Sequence, residues 1–352
     1  QCHFGYFMQY GLRARERRPA GFEAPEIGTF LHYLLENTAR EVAGSGGWAA
    51  VKTPQLHAMV RKYIDLYIRD EIPGYEEKSA RFRYLFGRLR TTAEDIVDRM
   101  AEELAESDFK PVAFELGFGG RDGTLPAITI QEGDATISVS GKVDRVDGWV
   151  RDGKLYLRVV DYKSGKKKFD LANVRMGLDI QMLLYLFSLT RDPSGRFTGA
   201  EPAGVLYLLA DPAPETTTRE KAARSVEYQL DGLVRDEQKV FDAMDADETG
   251  RYLPFGYRNG APSPYQKDKR ADIAKLNRIR LHLDDLVTRM GEQLYGGQIA
   301  AEPLVASTNR SPCAWCDYDF ICCHETGIGE RGLEAPAKPF EPEAAEDEEE
   351  PT

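Results

Sequence analysis

Residues 157–168 read LRVVDYKSGKKK, a hydrophobic run that ends abruptly in an acid and an amine. The run predicts a buried β-strand, and on a strand successive side chains point to opposite faces. Asp161 and Lys163 therefore share one face, while Tyr162 points to the other. Such a pair can be a solvated ion pair at a strand end, worth about 0.5 kcal/mol, or part of a reactive site. The surrounding sequence has to decide between these interpretations.

The preceding strand supplies a second acid. Residues 135–150 (ATISVSGKVDRVDGWV) and 154–163 (KLYLRVVDYK) both have strand composition, and the Arg-Asp-Gly connection between them predicts a β-hairpin. Pairing of the two strands would bring Asp144 close to Asp161 and Lys163. Mg²⁺ prefers carboxylate oxygens and keeps several waters, so two acids can hold it while substrate phosphate completes its shell. A cation there can activate water, and the lysine can orient that water or neutralise an attacked phosphate.

The remaining pattern mixes helices with strands. Apolar periodicity predicts helices over 27–42, 53–72, 79–107, 178–191 and about 265–295, and strands over 110–119, 203–210 and 225–232, the last at or near a sheet edge. This order predicts an α/β or α+β core wrapped in helical additions.

Two of the predicted helices carry polar pairs on one face. His32 and Glu36 lie four residues apart on the first helix, and Gln181 and Tyr185 lie four residues apart on the helix that follows the strands. Each pair has an ordinary explanation, namely a histidine satisfied within its helix and a polar rim on a packed helix. Each pair also suits a site beside the two acids and the lysine.

Four segments, taken in order, resemble the PD-(D/E)xK nuclease superfamily in its RecB-related branch: GTFLH (28–32), GKVDRVD (141–147), VVDYKSGK (159–166) and QMLLY (181–185). The resemblance implies an α/β fold, a RecB-like nuclease core in which helices flank a central mixed sheet. It also implies the site residues: His32, Asp144 and Asp161 as Mg²⁺ ligands, Lys163 as the catalytic lysine, and Gln181 and Tyr185 as DNA contacts.

Five cysteines raise the question of a second metal centre. Cys2 stands near the start, and the segment CAWCDYDFICC holds the other four in a C-x2-C-x5-C pattern with one extra cysteine, Cys323. A disulfide framework is disfavoured because no signal peptide is apparent and the cysteine count is odd. Zinc would take four nitrogen or sulfur ligands, with His3 or His324 available, whereas an iron–sulfur cluster would take four thiolates. Residue chemistry alone leaves both open.

The cysteine arrangement resembles that of the AddB family within the RecB-like nucleases, and the likeness extends over about residues 1–325. It implies a [4Fe–4S] cluster that staples the helical additions to the core, with Cys323 free. His3 is a departure, since the family commonly has proline at that position. The implied cluster ligands are Cys2, Cys313, Cys316 and Cys322.

The resemblance further implies a function. The chain would be the Mg²⁺-dependent nuclease module of a bacterial AddAB-type helicase–nuclease, an exonuclease that cuts the 5′-terminated strand in double-strand break repair by recombination. Because the chain has no G-x-x-x-x-G-K-[ST] sequence, a motor such as an AddA-type subunit would deliver the single strand of DNA. Two alternatives stay open: an inactive DNA-binding or scaffold domain, and a stand-alone iron–sulfur exonuclease of the CRISPR-adaptation type.

Composition and charge shape the expected organisation. The net charge is −12, and residues 340–352 contribute seven acids and no base, so any DNA binding must rest on local basic patches.

No signal peptide or run of 18 apolar residues is apparent, which favours a cytoplasmic location without membrane contact, and the missing starting methionine suggests part of a longer subunit. The expected segments are an N-terminal segment with the first cysteine (1–26), a nuclease core (27–210), a family-specific strand and helical region (211–300), a cysteine segment (301–325) and an acidic disordered tail (326–352).

Overall fold

The computed structural model describes residues 2–15, 24–119, 125–132, 135–163, 168–191, 196–209, 230–306, 311–333 and 339–342. Its α-helices are α1 (His3–Tyr6), α2 (Ala24–Gly44), α3 (Thr53–Glu71), α4 (Ala80–Glu106), α5 (Leu171–Arg175), α6 (Gln181–Thr190), α7 (Gln238–Met244), α8 (Ile273–Tyr295) and α9 (Asp319–Cys322). Its strands are β1 (Lys110–Phe118), β2 (Ile128–Glu132), β3 (Ala135–Val139), β4 (Gly141–Arg151), β5 (Lys154–Lys163), β6 (Glu201–Leu209), β7 (Asp231–Arg235), β8 (Tyr257–Arg258), β9 (Ala261–Pro262), β10 (Arg270–Ala271), β11 (Leu304–Ala306) and β12 (Arg331–Leu333).

A six-stranded mixed sheet in the order β1-β4-β5-β6-β7-β10 separates two hydrophobic cores. Strands β1, β4 and β5 are antiparallel neighbours, whereas β6 runs parallel to β5. The first core packs α2, α3 and α4 against one face of the sheet, and the second core packs α5, α6 and α8 against the other. This arrangement confirms the predicted α/β fold with a central mixed sheet flanked by helices.

The predicted β4–β5 hairpin forms and sets the face on which each of its side chains lies. Arg151 pairs with Lys154, and Asp152 and Gly153 between them have φ of 52° and 72°, the left-handed conformation of a type I′ turn. Val160 and Tyr162 enter the first core, and Val159 enters the second. The alternation expected from the opening stretch is therefore confirmed.

A buried network of charges joins this hairpin to α4. Arg145 Nη2 donates to both carboxylate oxygens of Glu103 at 3.2 and 3.1 Å and to Asp147 Oδ2 at 2.9 Å. Arg158 Nε donates to the same Asp147 oxygen at 2.8 Å, and its Nη2 donates to Glu103. Two positive and two negative groups thus compensate one another inside the first core, as buried ions must.

Several boundaries differ from the sequence expectation. The strand predicted over 135–150 is split at Ser140, because β3 pairs with β2 in a separate two-stranded sheet. The long helix begins at Ile273, where Asp272 caps it by accepting from the Lys275 amide at 2.6 Å. The strand predicted over 225–232 begins at Asp231, and residues 225–229 lie outside the described part of the chain.

The central sheet continues past residue 210, because β7 and β10 are its last two strands. The structure also describes residues 326–333 and 339–342 of the expected acidic tail. Strand β12 pairs with β11, Phe340 packs against the second core, and Glu341 pairs with Lys275 at 2.8 Å. Across the described residues, every helix is too short or too polar to pass through a lipid bilayer.

Candidate active site and cysteine pocket

Three carboxylates form a row across neighbouring strands of the sheet. The pairing of β1 with β4 places Glu115 opposite Asp144, and the pairing of β4 with β5 places Asp144 beside Asp161. The ladders are irregular at this row: Glu115 has a left-handed φ of 48°, and Asp144 Oδ2 accepts a hydrogen bond from the Tyr162 amide at 2.9 Å. The row thus runs from the edge strand β1 across β4 to the interior strand β5.

Helix α2 brings His32 to the same place. The apolar stripe of α2 packs into the first core, so its polar stripe lies along the edge of the sheet. His32 Nδ1 is 3.4 Å from Glu115 Oε1 and 3.4 Å from Asp144 Oδ1, and the ring meets the edge of Tyr162 at 5.8 Å between centroids. The structure thus gathers His32 and Asp144, which are 112 positions apart in the sequence.

Two lysines lie at the rim of this row of acids. Lys163 Nζ is 2.6 Å from Asp161 Oδ2, and Lys142 Nζ is 2.6 Å from Glu115 Oε2. The Lys163–Asp161 contact is an ion pair without hydrogen-bond alignment, so among the described residues the buried Asp161 Oδ2 has no hydrogen-bond donor. A buried carboxylate oxygen left in this way can still accept a cation or a water.

The row of acids is electrostatically strained. Burial and the neighbouring Asp161 carboxylate raise the pKa of Asp144 to about 7, although His32 and the Tyr162 amide oppose the rise. The hydrogen bond to Glu115 raises the pKa of His32, and burial works against that rise. Burial would raise the pKa of Glu115, but its bonds to His32 and Lys142 outweigh burial and lower it. A cation among these groups would relieve the repulsion.

The metal-free protein should therefore become more stable at pH 8 when Asp144 is replaced by asparagine. The pKa of Asp144 is raised on folding from 3.8 to about 7, so the folded state binds more protons than the unfolded state between these values. Stability then falls as pH rises through this window, and the penalty is fully present above it. In thermal unfolding with a chelator, Asp144→Asn should gain more over the parent at pH 8 than at pH 5.

Asp152→Asn is the matched control for this prediction, because Asp152 lies in the exposed turn at the other end of the same hairpin. Relative to the parent, Asp152→Asn should shift the midpoint of thermal unfolding by the same amount at pH 5 and at pH 8. Equal gains for Asp144→Asn at pH 5 and pH 8 would contradict the assignment of the strain to Asp144.

The donor set fits a hard divalent cation. His32, Glu115 and Asp144 each present one ligand atom, and these atoms lie within 4.8 Å of one another. Asp161 lies outside this tightest group, yet its charge acts on both Asp144 and His32. Oxygen ligands dominate the set, as Mg²⁺ and Mn²⁺ prefer, and one imidazole is compatible with Mn²⁺.

Sequence reasoning missed Glu115 and Lys142. Glu115 stands between Phe114 and Leu116 in a predicted strand, and a lone acid in an apolar strand was the available signal. Only the β1–β4 register shows that this acid lies opposite Asp144. Lys142 carried no signal beyond its place two residues before Asp144.

Gln181 and Tyr185 lie beside the start of β4. Gln181 is exposed at the first position of α6, and its Nε2 donates to the hydroxyl of the buried Tyr185 at 2.7 Å. A Cβ on Gly141 would be 2.4 Å from that hydroxyl, so this strand can pass so closely only with glycine. Tyr185 therefore packs inside, and Gln181 is the member of the pair that reaches solvent.

The N-terminal segment and the segment around α9 meet at a cavity of about 330 Å³, here called the cysteine pocket. The Phe4 amide donates to Ala300 O at 3.2 Å, and the Tyr318 hydroxyl donates to Ala14 O at 2.8 Å. Further contacts include His3 Nε2 with Gln293 Oε1 at 3.1 Å. The lining includes Cys2, Cys313, Cys316, Cys322 and His324.

The thiols in this pocket are close but not tightly clustered. Burial raises the pKa of the Cys322 thiol, and the charges of Cys2, Cys316 and Cys313 raise it further. No three cysteine or histidine ligand atoms of the pocket lie within 4.8 Å of one another among the described residues.

Cys323 lies apart from this pocket. It is exposed, has a left-handed φ of 51° and donates its thiol to Phe320 O at 3.7 Å.

Comparison with known proteins agrees with this geometry. Residues 1–323 match the family described as the PD-(D/E)XK nuclease superfamily. The chain is 30% identical over 338 residues to the B subunit of the ATP-dependent helicase/deoxyribonuclease of Clostridium tetani (strain Massachusetts / E88), covering 93% of this chain and 29% of that protein. The proteins of the same name from Thermoanaerobacter sp. (strain X514) and Clostridium novyi (strain NT) are 28% and 29% identical, with 93% of this chain and 29% and 30% of theirs covered.

The chain thus spans less than a third of the length of these relatives. The family match, by contrast, covers most of the chain and includes both the α2 histidine and the β4–β5 hairpin. This chain belongs to the PD-(D/E)XK nuclease superfamily.

Proposed function

We propose that this chain is a Mg²⁺-dependent DNA nuclease module that hydrolyses phosphodiester bonds. The observation that carries the proposal is the convergence of Glu115, Asp144, Asp161 and His32 with Lys163 at one place on the sheet. These residues come from β1, β4, β5 and α2, and packing alone does not require a largely buried acidic row at this position. Membership of the nuclease superfamily favours hydrolysis of phosphodiester bonds as the function of these acidic residues.

Each residue of the site has a proposed task. His32, Asp144 and Asp161 would hold the cation, as the resemblance implies, and Glu115 is positioned to join them. Such a cation lowers the pKa of bound water and stabilises negative charge on an attacked phosphate. Lys163 lies next to the buried oxygen of Asp161, where its ammonium group can orient the attacking water or neutralise the phosphate. Gln181 would contact DNA, and Tyr185 would hold its amide in position, because Gln181 Nε2 donates to the Tyr185 hydroxyl.

The name of the relatives supports a proposal for the biological setting. Their name describes one component of an ATP-dependent helicase and deoxyribonuclease. We propose that this chain acts in the cytoplasm beside an AddA-type motor protein, as an exonuclease that cuts the 5′-terminated single strand during recombinational repair. A time course on DNA labelled at either end, with Mg²⁺ or with chelator, tests activity and polarity together. Absence of Mg²⁺-dependent cleavage of any DNA by the chain and by its complex with the motor would refute the nuclease proposal.

Replacing Lys163 by alanine should lower the cleavage rate by about 10²-fold or more, because a charged group aimed at the reacting phosphate is lost. The control is Lys154→Ala, at the other end of the same hairpin, where Nζ pairs with Glu201 at 2.7 Å. Mg²⁺ binding, followed by calorimetry, should persist in both variants. Cleavage by Lys163→Ala at the rate of Lys154→Ala would exclude the catalytic role.

The cysteine pocket is proposed to hold a [4Fe–4S] cluster bound by Cys2, Cys313, Cys316 and Cys322. Four thiols line one cavity, which supports a metal centre there, and the resemblance favours a cluster over zinc. The cluster would join α1 to the segment around α9 and so close the chain on itself. Its proposed role is structural, because the cysteines are not among the residues gathered at the acidic row.

A further inference from the structure

We propose that Lys142 is a phosphate-binding residue of the active site, which contacts a backbone phosphate of the DNA strand once a cation is bound by Glu115. The inference rests on the proposed nuclease function and adds a substrate contact to it. Lys142 has no part in the site that the sequence motifs indicated.

The position of Lys142 links it to the acids of the site. It lies two residues before Asp144 on β4, so both side chains point to the same side of the strand. Its Nζ is 2.6 Å from Glu115 Oε2, while the other oxygen of Glu115 faces His32 Nδ1 at 3.4 Å. Glu115 is therefore shared between the cation-binding group and this lysine.

Exposure distinguishes Lys142 from the groups it accompanies. Its side chain is 59% exposed, whereas the side chains of Glu115 and Asp144 are 9% and 10% exposed. The acids therefore lie inside the site, and the ammonium group lies at its solvent side. An approaching DNA strand meets this charge before it meets the carboxylates.

Charge balance explains why Lys142 would exchange Glu115 for a DNA phosphate once a cation is bound. Lys142 Nζ forms an ion pair with Glu115 Oε2 at 2.6 Å in the metal-free site. A divalent cation beside Glu115 takes over the neutralisation of that carboxylate. Three carboxylates, two lysines and one divalent cation then carry one net positive charge when His32 is neutral. The long Lys142 side chain is free to pair with phosphate, the anion that a nuclease must bring to this place.

The chain contains a closely matched control for Lys142. Lys154 lies at the far end of the same hairpin, is also 59% exposed, and also pairs with one glutamate, Glu201, at 2.7 Å. Lys142→Gln and Lys154→Gln therefore remove the same charge from the same kind of surface ion pair. Lys142→Arg keeps the charge and serves as the rescue variant.

The test measures Mg²⁺-dependent cleavage of a short oligodeoxythymidine across a range of salt concentrations. Lys142→Gln should raise KM by about tenfold with kcat nearly unchanged, because a contact present in both bound and transition states is lost. For Lys142→Gln, the slope of log affinity against log salt concentration should become shallower by about 0.7. This is the value for one phosphate contact on a single strand. Lys142→Arg should recover most of the loss, and Lys154→Gln should match the parent.

Substrates with one uncharged methylphosphonate linkage identify the phosphate. In the parent and in Lys154→Gln, one linkage position should weaken binding by about tenfold, and Lys142→Gln should be nearly insensitive at that position. Equal sensitivity of Lys142→Gln and the parent at every position, with an unchanged salt slope, would overturn the proposal and leave Lys142 as a partner of Glu115 only. A parent chain that neither binds nor cuts DNA would instead refute the nuclease function, and this inference with it.

Discussion

Replacing Asp161 by alanine or asparagine is expected to abolish cleavage of DNA, a loss of about 10³-fold or more, while the chain stays folded and still binds single-stranded DNA. Asp161 borders the cation-binding group, and its buried oxygen Oδ2 has no hydrogen-bond donor among the described residues. Without this carboxylate the cation is poorly held and the attacking water is neither activated nor aimed. Several kcal/mol of transition-state stabilisation would be lost, which corresponds to this factor.

Folding should survive the Asp161 substitution because the native acid is a source of repulsion. Its charge is the second-largest cause of the raised pKa of Asp144, so neutralising it relieves strain in the metal-free site. The thermal midpoint in chelator should therefore be equal to that of the parent or higher. Asp152→Asn, in the turn of the same hairpin, is the control and should cleave at the parental rate.

Cleavage assays and unfolding curves on the three proteins separate the outcomes for Asp161. An Asp161→Ala protein that cuts DNA as fast as Asp152→Asn would refute the enzyme proposal. An unfolded Asp161→Asn protein would instead refute the claim that the acid destabilises the metal-free site.

Replacing Cys2 is expected to eliminate the iron–sulfur cluster and to loosen both ends of the chain. Cys2 is the only one of the four proposed ligands that comes from the N-terminal segment, so its loss breaks the closure between residue 2 and the cysteine segment that begins at residue 313. Closing a loop of about 310 residues costs an unlinked chain on the order of 5 kcal/mol in conformational entropy. A cluster restricts the unfolded chain and so removes this entropic cost from folding. Iron and sulfide should fall to background in Cys2→Ala after anaerobic purification, and protease cleavage near α1 and α9 should accelerate.

Cys323→Ala provides the control in the same segment. Cys323 follows Cys322 directly, but it is exposed and donates its thiol to Phe320 O rather than facing the cysteine pocket. This variant should keep the parental iron content, visible absorbance and protease resistance. Full iron content in Cys2→Ala would show that the centre uses other ligands, and loss of iron in Cys323→Ala would show that the wrong neighbour was chosen.

Local sequence determined the hairpin at the centre of the fold. The alternation of apolar residues around Asp161, together with the Asp152–Gly153 turn, depends on interactions between residues close in the chain. For the same reason the shared face of Asp161 and Lys163 could be predicted, and the two groups lie 2.6 Å apart. Local pattern was less reliable where a strand changes sheet, as at Ser140, since periodicity does not report the pairing partner.

Tertiary structure alone decided which distant groups meet at the site. Glu115 joins the site because the β1–β4 register places it opposite Asp144 and because its backbone takes a left-handed φ of 48°. His32 reaches both acids only because the apolar stripe of α2 is buried against the sheet. A composition or a periodicity carries no information on register or on helix docking, which depend on packing between segments.

The same distinction between local and long-range interactions applies to the cysteine pocket. The spacing of Cys313, Cys316 and Cys322 is a local property that indicates a metal site from sequence alone. Their meeting with Cys2 depends on contacts such as Phe4 with Ala300 and Tyr318 with Ala14, formed across almost the whole chain. Sequence therefore determined which elements form and which chemistry each one carries, whereas the packing of α2 and of the N-terminal segment decided which residues share a site. The physical reason is that strand, turn and spacing preferences act over a few residues, and the burial of apolar surface acts between segments of any separation.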